Sequence, residues 1–283
     1  MGAQAAALLD AGGPVGDVPP EPAYVGSRQL PAPAGYDLRR VALLHGGVGL
    51  APTAWDGARL HLRLPGPVVV DARLLVRWAG RPPAAAALRR VLALDDDLDE
   101  LWAACDTVPV LAGLRPRVLR SPTVWQDLVG TLAGTRASYR STQAMVRALV
   151  GDGPFPGPAQ VPAADLSPWG YRAPFLRGLA ARVVDGWDPE QLLDPALSDA
   201  DVLARVRALA GFGPFATAQL QPLLGRPRPL VLDGWLRTRL GGAGDAELLE
   251  RFAPMGRWAG TGAWLAAVAG RLRDAPEGPH AGR

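Results

Sequence analysis

The chain has 283 residues, 48% hydrophobic and 20% charged, with a formal net charge of +3 from 30 basic and 27 acidic side chains. Every basic residue is arginine, and lysine, asparagine and isoleucine are absent, so no catalytic step here can use a lysine amine. The single cysteine, Cys105, excludes an internal disulfide framework, a four-cysteine zinc site and a four-cysteine iron–sulfur cluster.

Lysine, asparagine and isoleucine share A/T-rich codons, so their absence reads as a G+C-rich coding sequence. The opening Met1–Asp10 stretch lacks a basic region and reaches an acid before a long apolar run forms, and Ala6 stands where a myristoylation signal needs Ser or Thr. No run of about 18 uninterrupted apolar residues occurs, so no membrane span is expected. A soluble, cytoplasmic protein is the expectation. Arginine-only basicity permits a phosphate-binding face, because the guanidinium fork matches phosphate bidentately.

Residues 1–34, rich in Ala, Gly and Pro, read as a flexible leader, and residues 271–283 as a similar tail. From Tyr36 to Trp78 short β-type runs are broken by glycine and proline. Leu38–Leu44 makes one run. After a turn at Trp55-Asp56-Gly57, Leu60, Leu62 and Leu64 alternate with His61 and Arg63, and Val68–Val70 and Leu74–Val76 continue the pattern. Residues 35–82 are therefore expected to form a small antiparallel sheet domain.

From residue 83 to 270 the chain reads as a helical body, with helices over 124–131, 138–150, 173–184, 199–208, 216–224, 234–240 and 262–272. Ser121-Pro122 has the look of an N-cap followed by proline at the first helical position, and Asp245 or a neighbour of a cap further on. The fold class is α+β, mainly α. The acidic run Asp95–Glu100 reads as a solvated helix start, because it lacks the glycine and spacing of an EF-hand loop. His45, His61 and His280 are scattered, with no metal-ligand spacing.

Leu209–Ala218 joins two predicted helices. Gly211 and Gly213 allow positive φ and a close backbone approach, and free N–H groups at the following helix start suit a phosphate. The plain alternative is an ordinary structural turn. Asp233 lies 22 residues after Gly211 and is the only acid between Gly211 and Gly244. Its plain alternative is a helix N-cap, and one residue can serve in both roles.

With these residues in order, L-x-G-x-G-x-F over 209–215 resembles the hairpin of the helix–hairpin–helix DNA glycosylase superfamily. Leu230–Arg237 resembles the segment carrying that superfamily's catalytic aspartate. Gly170–Leu176, Ser121–Val129 and Phe252–Gly260 are similar to three further segments: one common in the 8-oxoguanine and 3-methyladenine branches, the helix that delivers the DNA-wedging loop, and the segment walling the base pocket. Tyr36-Asp37-Leu38 with Trp55-Asp56-Gly57 is similar to the N-terminal sheet domain of the 3-methyladenine glycosylase II group. The resemblance spans about residues 36–270 and is closest to that group.

The resemblance implies a helical glycosylase body whose hairpin, 205–222, binds double-stranded DNA containing a damaged base. Gly211, Gly213, Thr217, Thr135, Arg136 and Arg172 would contact the DNA, with Arg136 at the position of the plug that fills the gap left by a flipped base. Phe215, Gln219, Trp258, Trp169 and Tyr171 would form or approach the base pocket, and Asp233 would be catalytic. Relatives that also nick the strand carry a lysine where Phe215 stands, so a monofunctional enzyme is implied. No cofactor is expected beyond a monovalent cation at the hairpin main chain, and a monomer is expected. Indoles stacking on cationic bases favour alkylated purines; an 8-oxoguanine glycosylase of the same fold and a non-catalytic lesion-binding protein are the alternatives.

Overall fold

The computed structural model describes residues 15–44 and 49–273. Its first part is a five-stranded antiparallel sheet: β1 (Gly26–Gln29), β2 (Ala54–Trp55), β3 (Leu60–Arg63), β4 (Pro67–Val70) and β5 (Leu75–Trp78), in the order β1-β5-β4-β3-β2. Gly26 pairs with Trp78, and a Cβ at Gly26 would stand 2.5 Å from the indole, so the edge strand lies flat against that ring only as glycine. Part of the stretch read as a flexible leader is thus sheet. Val15 also pairs with Trp55 across an isolated bridge, and both side chains are buried. Residues 1–14 and 274–283, with His45 and His280, lie outside the described residues.

Leu38–Leu44, expected as a β-type run, is instead helix α1. Its buried residues Leu38, Val41, Ala42 and Leu44 follow a helical spacing rather than alternation, and Asp37 Oδ1 accepts the Arg40 N–H at 3.1 Å to start the turn. The expected turn at Asp56-Gly57 is present. Asp56 accepts the N–H groups of Ala58 and Arg59, and Gly57 takes φ +100°. His61 is buried and paired with Asp56 at 2.8 Å.

Ten further helices follow: α2 (Ala85–Val91), α3 (Asp99–Asp106), α4 (Val124–Ala133), α5 (Tyr139–Val150), α6 (Ala173–Val184), α7 (Asp199–Arg207), α8 (Pro214–Leu220), α9 (Gly234–Arg239), α10 (Asp245–Phe252) and α11 (Ala259–Arg273), with short 3₁₀ turns between some of them. The cap of α4 is Thr123 rather than Ser121: Thr123 accepts the Gln126 N–H, while Ser121 N–H donates to Asp127 Oδ1 at 2.9 Å. Gly244 caps α10, ahead of Asp245.

The apolar side chains gather into three clusters. One joins the sheet with α1 and α2 through Trp55, Leu60, Val70 and Leu88. A second packs α4, α5, α6, α7 and α8 around Trp169, Leu128, Leu176 and Phe212. The third holds α3 and α9–α11 around Cys105, Phe252 and Leu265. Buried ion pairs tie the layers together. Arg90 on α2 reaches Asp127 on α4 at 2.7 Å, and Arg120 reaches Asp96, so this acid of the Asp95–Glu100 run is a packed partner rather than a solvated one. Burial pushes the Asp127 carboxyl up to about 6, against the opposing pull of Arg90.

Candidate functional site

A cavity opens where the three clusters meet. Leu44 and Trp264 come from the α9–α11 side, Leu62 and Leu119 from the sheet side, and Val146 from the α4–α8 side. Helix α8 supplies Phe215 and Gln219, one helical turn apart and therefore on one face, while Ala216, Thr217 and Leu220 turn into the core. The other helical arm, α7, enters through Ala208–Phe212. Gly211 takes φ +88°, and a Cβ there would stand 2.8 Å from Leu132 Cδ1, so both backbone and packing demand glycine. Gly213 is extended, exposed and faces open space, which leaves the N-terminus of α8 approachable from outside.

Asp233 is the N-cap of α9. Its Oδ1 accepts the Leu236 N–H at 2.7 Å, and among the described residues its Oδ2 accepts no hydrogen bond. The capping and catalytic assignments are therefore compatible: one oxygen anchors the carboxylate and the other is available. Asp233 itself does not line the cavity. It stands at the end of the strap 225–233, whose Arg228 does. The strap is pinned to α11, with the Arg228 N–H donating to Thr261 Oγ1 at 2.9 Å.

The expected plug loop lies between α4 and α5. Arg136 is exposed and holds φ +46°, a left-handed conformation that costs a non-glycine residue roughly 1–3 kcal/mol. Ser138 caps α5 on one side, accepting the Ser141 N–H at 3.1 Å. On the other side, Arg172 donates Nε to the Thr135 carbonyl at 3.0 Å and Nη2 to the same oxygen, and its guanidinium stacks 4.4 Å from the Tyr171 ring. Thr135 Oγ1 donates to the Leu132 carbonyl at 2.7 Å.

Several expected site residues therefore stand elsewhere. Arg172 is buried and braces the loop, so it is not an outward phosphate contact; a buried guanidinium needs acceptors and finds them in Thr135. Thr135 is likewise committed to internal bonds. Thr217 is buried on the inner face of α8, its Oγ1 3.4 Å from the Phe212 carbonyl. Trp169 is fully buried and donates Nε1 to the Met145 carbonyl at 2.9 Å, which makes it core rather than pocket. Tyr171 is 59% exposed and lies beside the plug loop, away from the cavity. Trp258 packs in the cluster of Phe252 and Met255 and does not line the cavity.

Phe215 and Gln219 are the two expected pocket residues that the structure brings to the cavity. Trp264 and Arg228 were missed. Trp264 lies six residues beyond Trp258, on α11, just past the segment singled out from sequence, and Arg228 sits between Pro227 and Pro229, five residues before Asp233. An arginine fixed between two prolines next to the candidate catalytic carboxylate was the available signal.

Arg172→Ala is expected to lower stability by about 1–3 kcal/mol, because it leaves the Thr135 carbonyl without its charged donor. Arg172→Lys, which keeps a charged donor, is expected to recover part of that loss. Thermal melts check this, and wild-type stability in Arg172→Ala would remove the bracing role.

No protein-family model matches the chain, and no curated protein sequence matches it. Solved structures do share its fold. The chain superposes on MBOgg1 in complex with a low affinity DNA ligand with TM-score 0.57 and 16% identity, over 75% of this chain and 85% of that one. Apo 8-oxoguanine glycosylase/lyase from Clostridium acetobutylicum gives TM-score 0.58 and 13% identity, over 74% and 85%. The 3-methyladenine DNA-glycosylase of Archaeoglobus fulgidus gives TM-score 0.57 and 14% identity, over 76% and 89%. The shared property is the architecture: a mainly helical body with a small antiparallel sheet. Near-equal scores against 8-oxoguanine and 3-methyladenine enzymes do not choose between those branches.

Proposed function

We propose that the protein is a monofunctional DNA glycosylase that flips a damaged purine out of duplex DNA, hydrolyses its N-glycosidic bond and leaves an abasic site. The observation that carries the reading is Asp233: a carboxylate held by one oxygen at a helix N-terminus, its other oxygen free, on a strap that borders the aromatic-lined cavity. Cleaving an N-glycosidic bond builds positive charge on the sugar as the base departs. A fixed carboxylate stabilises that charge and orients a water toward the anomeric carbon.

The remaining parts take complementary roles. Gly211 and Gly213 shape the turn that presents main-chain N–H groups to a DNA phosphate, and exposed arginines neutralise further phosphates. Arg136, exposed at the tip of its braced loop, fills the space vacated by the flipped nucleotide. Phe215 stands where a strand-nicking relative would carry its Schiff-base lysine, and the chain has no lysine, so release of the base ends the reaction. Phe215 and Trp264 line the cavity and offer aromatic surface on which a base can stack.

Alkylated purines were favoured from sequence on the strength of indoles at 169 and 258. Of the cavity's aromatic wall only Phe215, Phe155 and Trp264 remain to support that preference. An uncharged damaged base is the second reading, favoured by Arg228.

The test is incubation with duplexes carrying one hypoxanthine, ethenoadenine or 8-oxoguanine, and separately with methylated DNA, each divided into alkali-treated and untreated halves. Base release with strand breaks only after alkali is the expected result. Breaks without alkali would overturn the monofunctional assignment, and binding without release would leave a lesion-binding protein.

A further inference from the structure

Arg228 is 4% exposed, yet no carboxylate stands within 4.0 Å of it among the described residues. The neighbouring Arg226, two residues earlier, is paired with Asp199 at 3.0 Å. A buried cation without an ion-pair partner is costly and is kept where it acts on something. Burial lowers its pKa to about 10, with the charge of Asp233 acting the other way, so the group is still a cation at neutral pH.

Its surroundings fix its orientation. Nη1 donates to Gln219 Oε1, so the amide of Gln219 must present its oxygen to Arg228. That leaves the two Nε2 hydrogens of Gln219 to face other groups. Arg228 and Gln219 both line the cavity with Phe215 and Trp264. Beside Phe215 and Trp264 the polar groups are therefore donors and carry positive charge, whereas Arg120 and Asp127, also on the lining, are each held in an ion pair.

We propose that Arg228 determines which base the cavity takes: an uncharged base with oxygen acceptors on its edge, in preference to a cationic alkylated one. The inference rests on the glycosylase reading and sharpens it. As the C1′–N bond breaks, its electron pair passes to the base nitrogen, so an uncharged base leaves as an anion. Water bonds to C1′ through its oxygen; one water proton ends on the departed base and the other stays on the new sugar hydroxyl. Arg228 stabilises the developing anion, because a preorganised charge placed where negative charge develops lowers the barrier. A cationic alkylated base leaves as a neutral molecule, gains nothing from Arg228, and is repelled by it on entry. Arg228 thus works on the base side of the breaking bond and Asp233 on the sugar side.

The experiment compares release of hypoxanthine and 8-oxoguanine with release of 7-methylguanine, each from a matched duplex, by wild type, Arg228→Met, Arg228→Lys and Gln219→Glu, with melting curves to confirm folding. In Arg228→Met the ratio of uncharged to cationic release is expected to fall by about 100-fold, the size of losing one preorganised charge donor, and Arg228→Lys should recover part of it. Gln219→Glu keeps Arg228 but supplies it with a counter-charge, and should move the ratio toward the cationic base. Equal losses on both substrates, or an unchanged ratio in the Arg228 and Gln219 variants, would overturn the proposal. If wild type releases no base, the same duplexes are compared by binding. A preference for 8-oxoguanine over 7-methylguanine that disappears in Arg228→Met keeps the selectivity role while the glycosylase reading falls; no preference, or one that survives, overturns the role of Arg228 as well.

Discussion

Asp233→Asn is expected to cut the single-turnover rate of base release by roughly 10²–10³-fold while leaving the protein as stable as the wild type. The two halves of this expectation come from different oxygens. Oδ1 caps α9 through the Leu236 N–H, and asparagine caps a helix about as well as aspartate, so its amide oxygen can take over that bond. What the substitution removes is the negative charge near Oδ2, which is the part required by a cationic transition state. Asp233→Ala removes both, and should add a loss of about 1 kcal/mol in stability from the missing cap. Release kinetics under enzyme excess, paired with urea melts, separate the effects. An Asp233→Asn variant that releases base at the wild-type rate would reduce Asp233 to a helix cap.

Gly260→Ala is expected to be among the most damaging single-methyl additions in the chain. The Cα of Gly260, at the start of α11, packs directly on the main chain of Arg228, Pro229 and Leu230, and an added methyl would overlap backbone atoms of all three. Backbone cannot step aside as a side-chain tip can, so either α11 or the strap must move. Overpacking of this kind costs about 1–3 kcal/mol and sometimes more. Because the strap also holds the Arg228 N–H on Thr261 and ends at Asp233, a folded variant should lose base release as well as stability. Urea unfolding and release assays check this, and wild-type values in both would show that α11 and the strap are not packed as described.

The helical body was largely legible because proline and glycine mark its segment ends. The spans expected at 138–150, 173–184 and 199–208 reappear as α5, α6 and α7 within about a residue at either end. Leu38–Leu44 misled because, after Arg39 and Arg40, it ends in four consecutive apolar residues with no polar contrast, so a helical face and a strand read alike until the sheet is seen to cover one side. Gly26–Gln29 carries no apolar alternation at all. It is a strand because β5 offers it an edge, a tertiary cause that a local pattern does not contain.

At the site, one helical turn separates Phe215 from Gln219, so their common face follows from spacing alone. The indoles were harder, since tryptophan looks the same in a core as in a pocket; Trp169 and Trp264 differ only in which helix faces pack against which. Arg172 was misassigned for a related reason. Its charge suggested a phosphate, but its donors are taken by a carbonyl 37 residues earlier in the chain.

The meeting of three apolar clusters around one cavity has a consequence for motion. Local opening follows contiguous packed cores, so each cluster is a natural unit for it, and the cavity lies where the three adjoin. A base seated against Leu62, Val146 and Trp264 touches all three units together, so that none can open without releasing it. Occupancy should therefore behave as a keystone, adding its binding free energy to every unit it touches and coupling their opening.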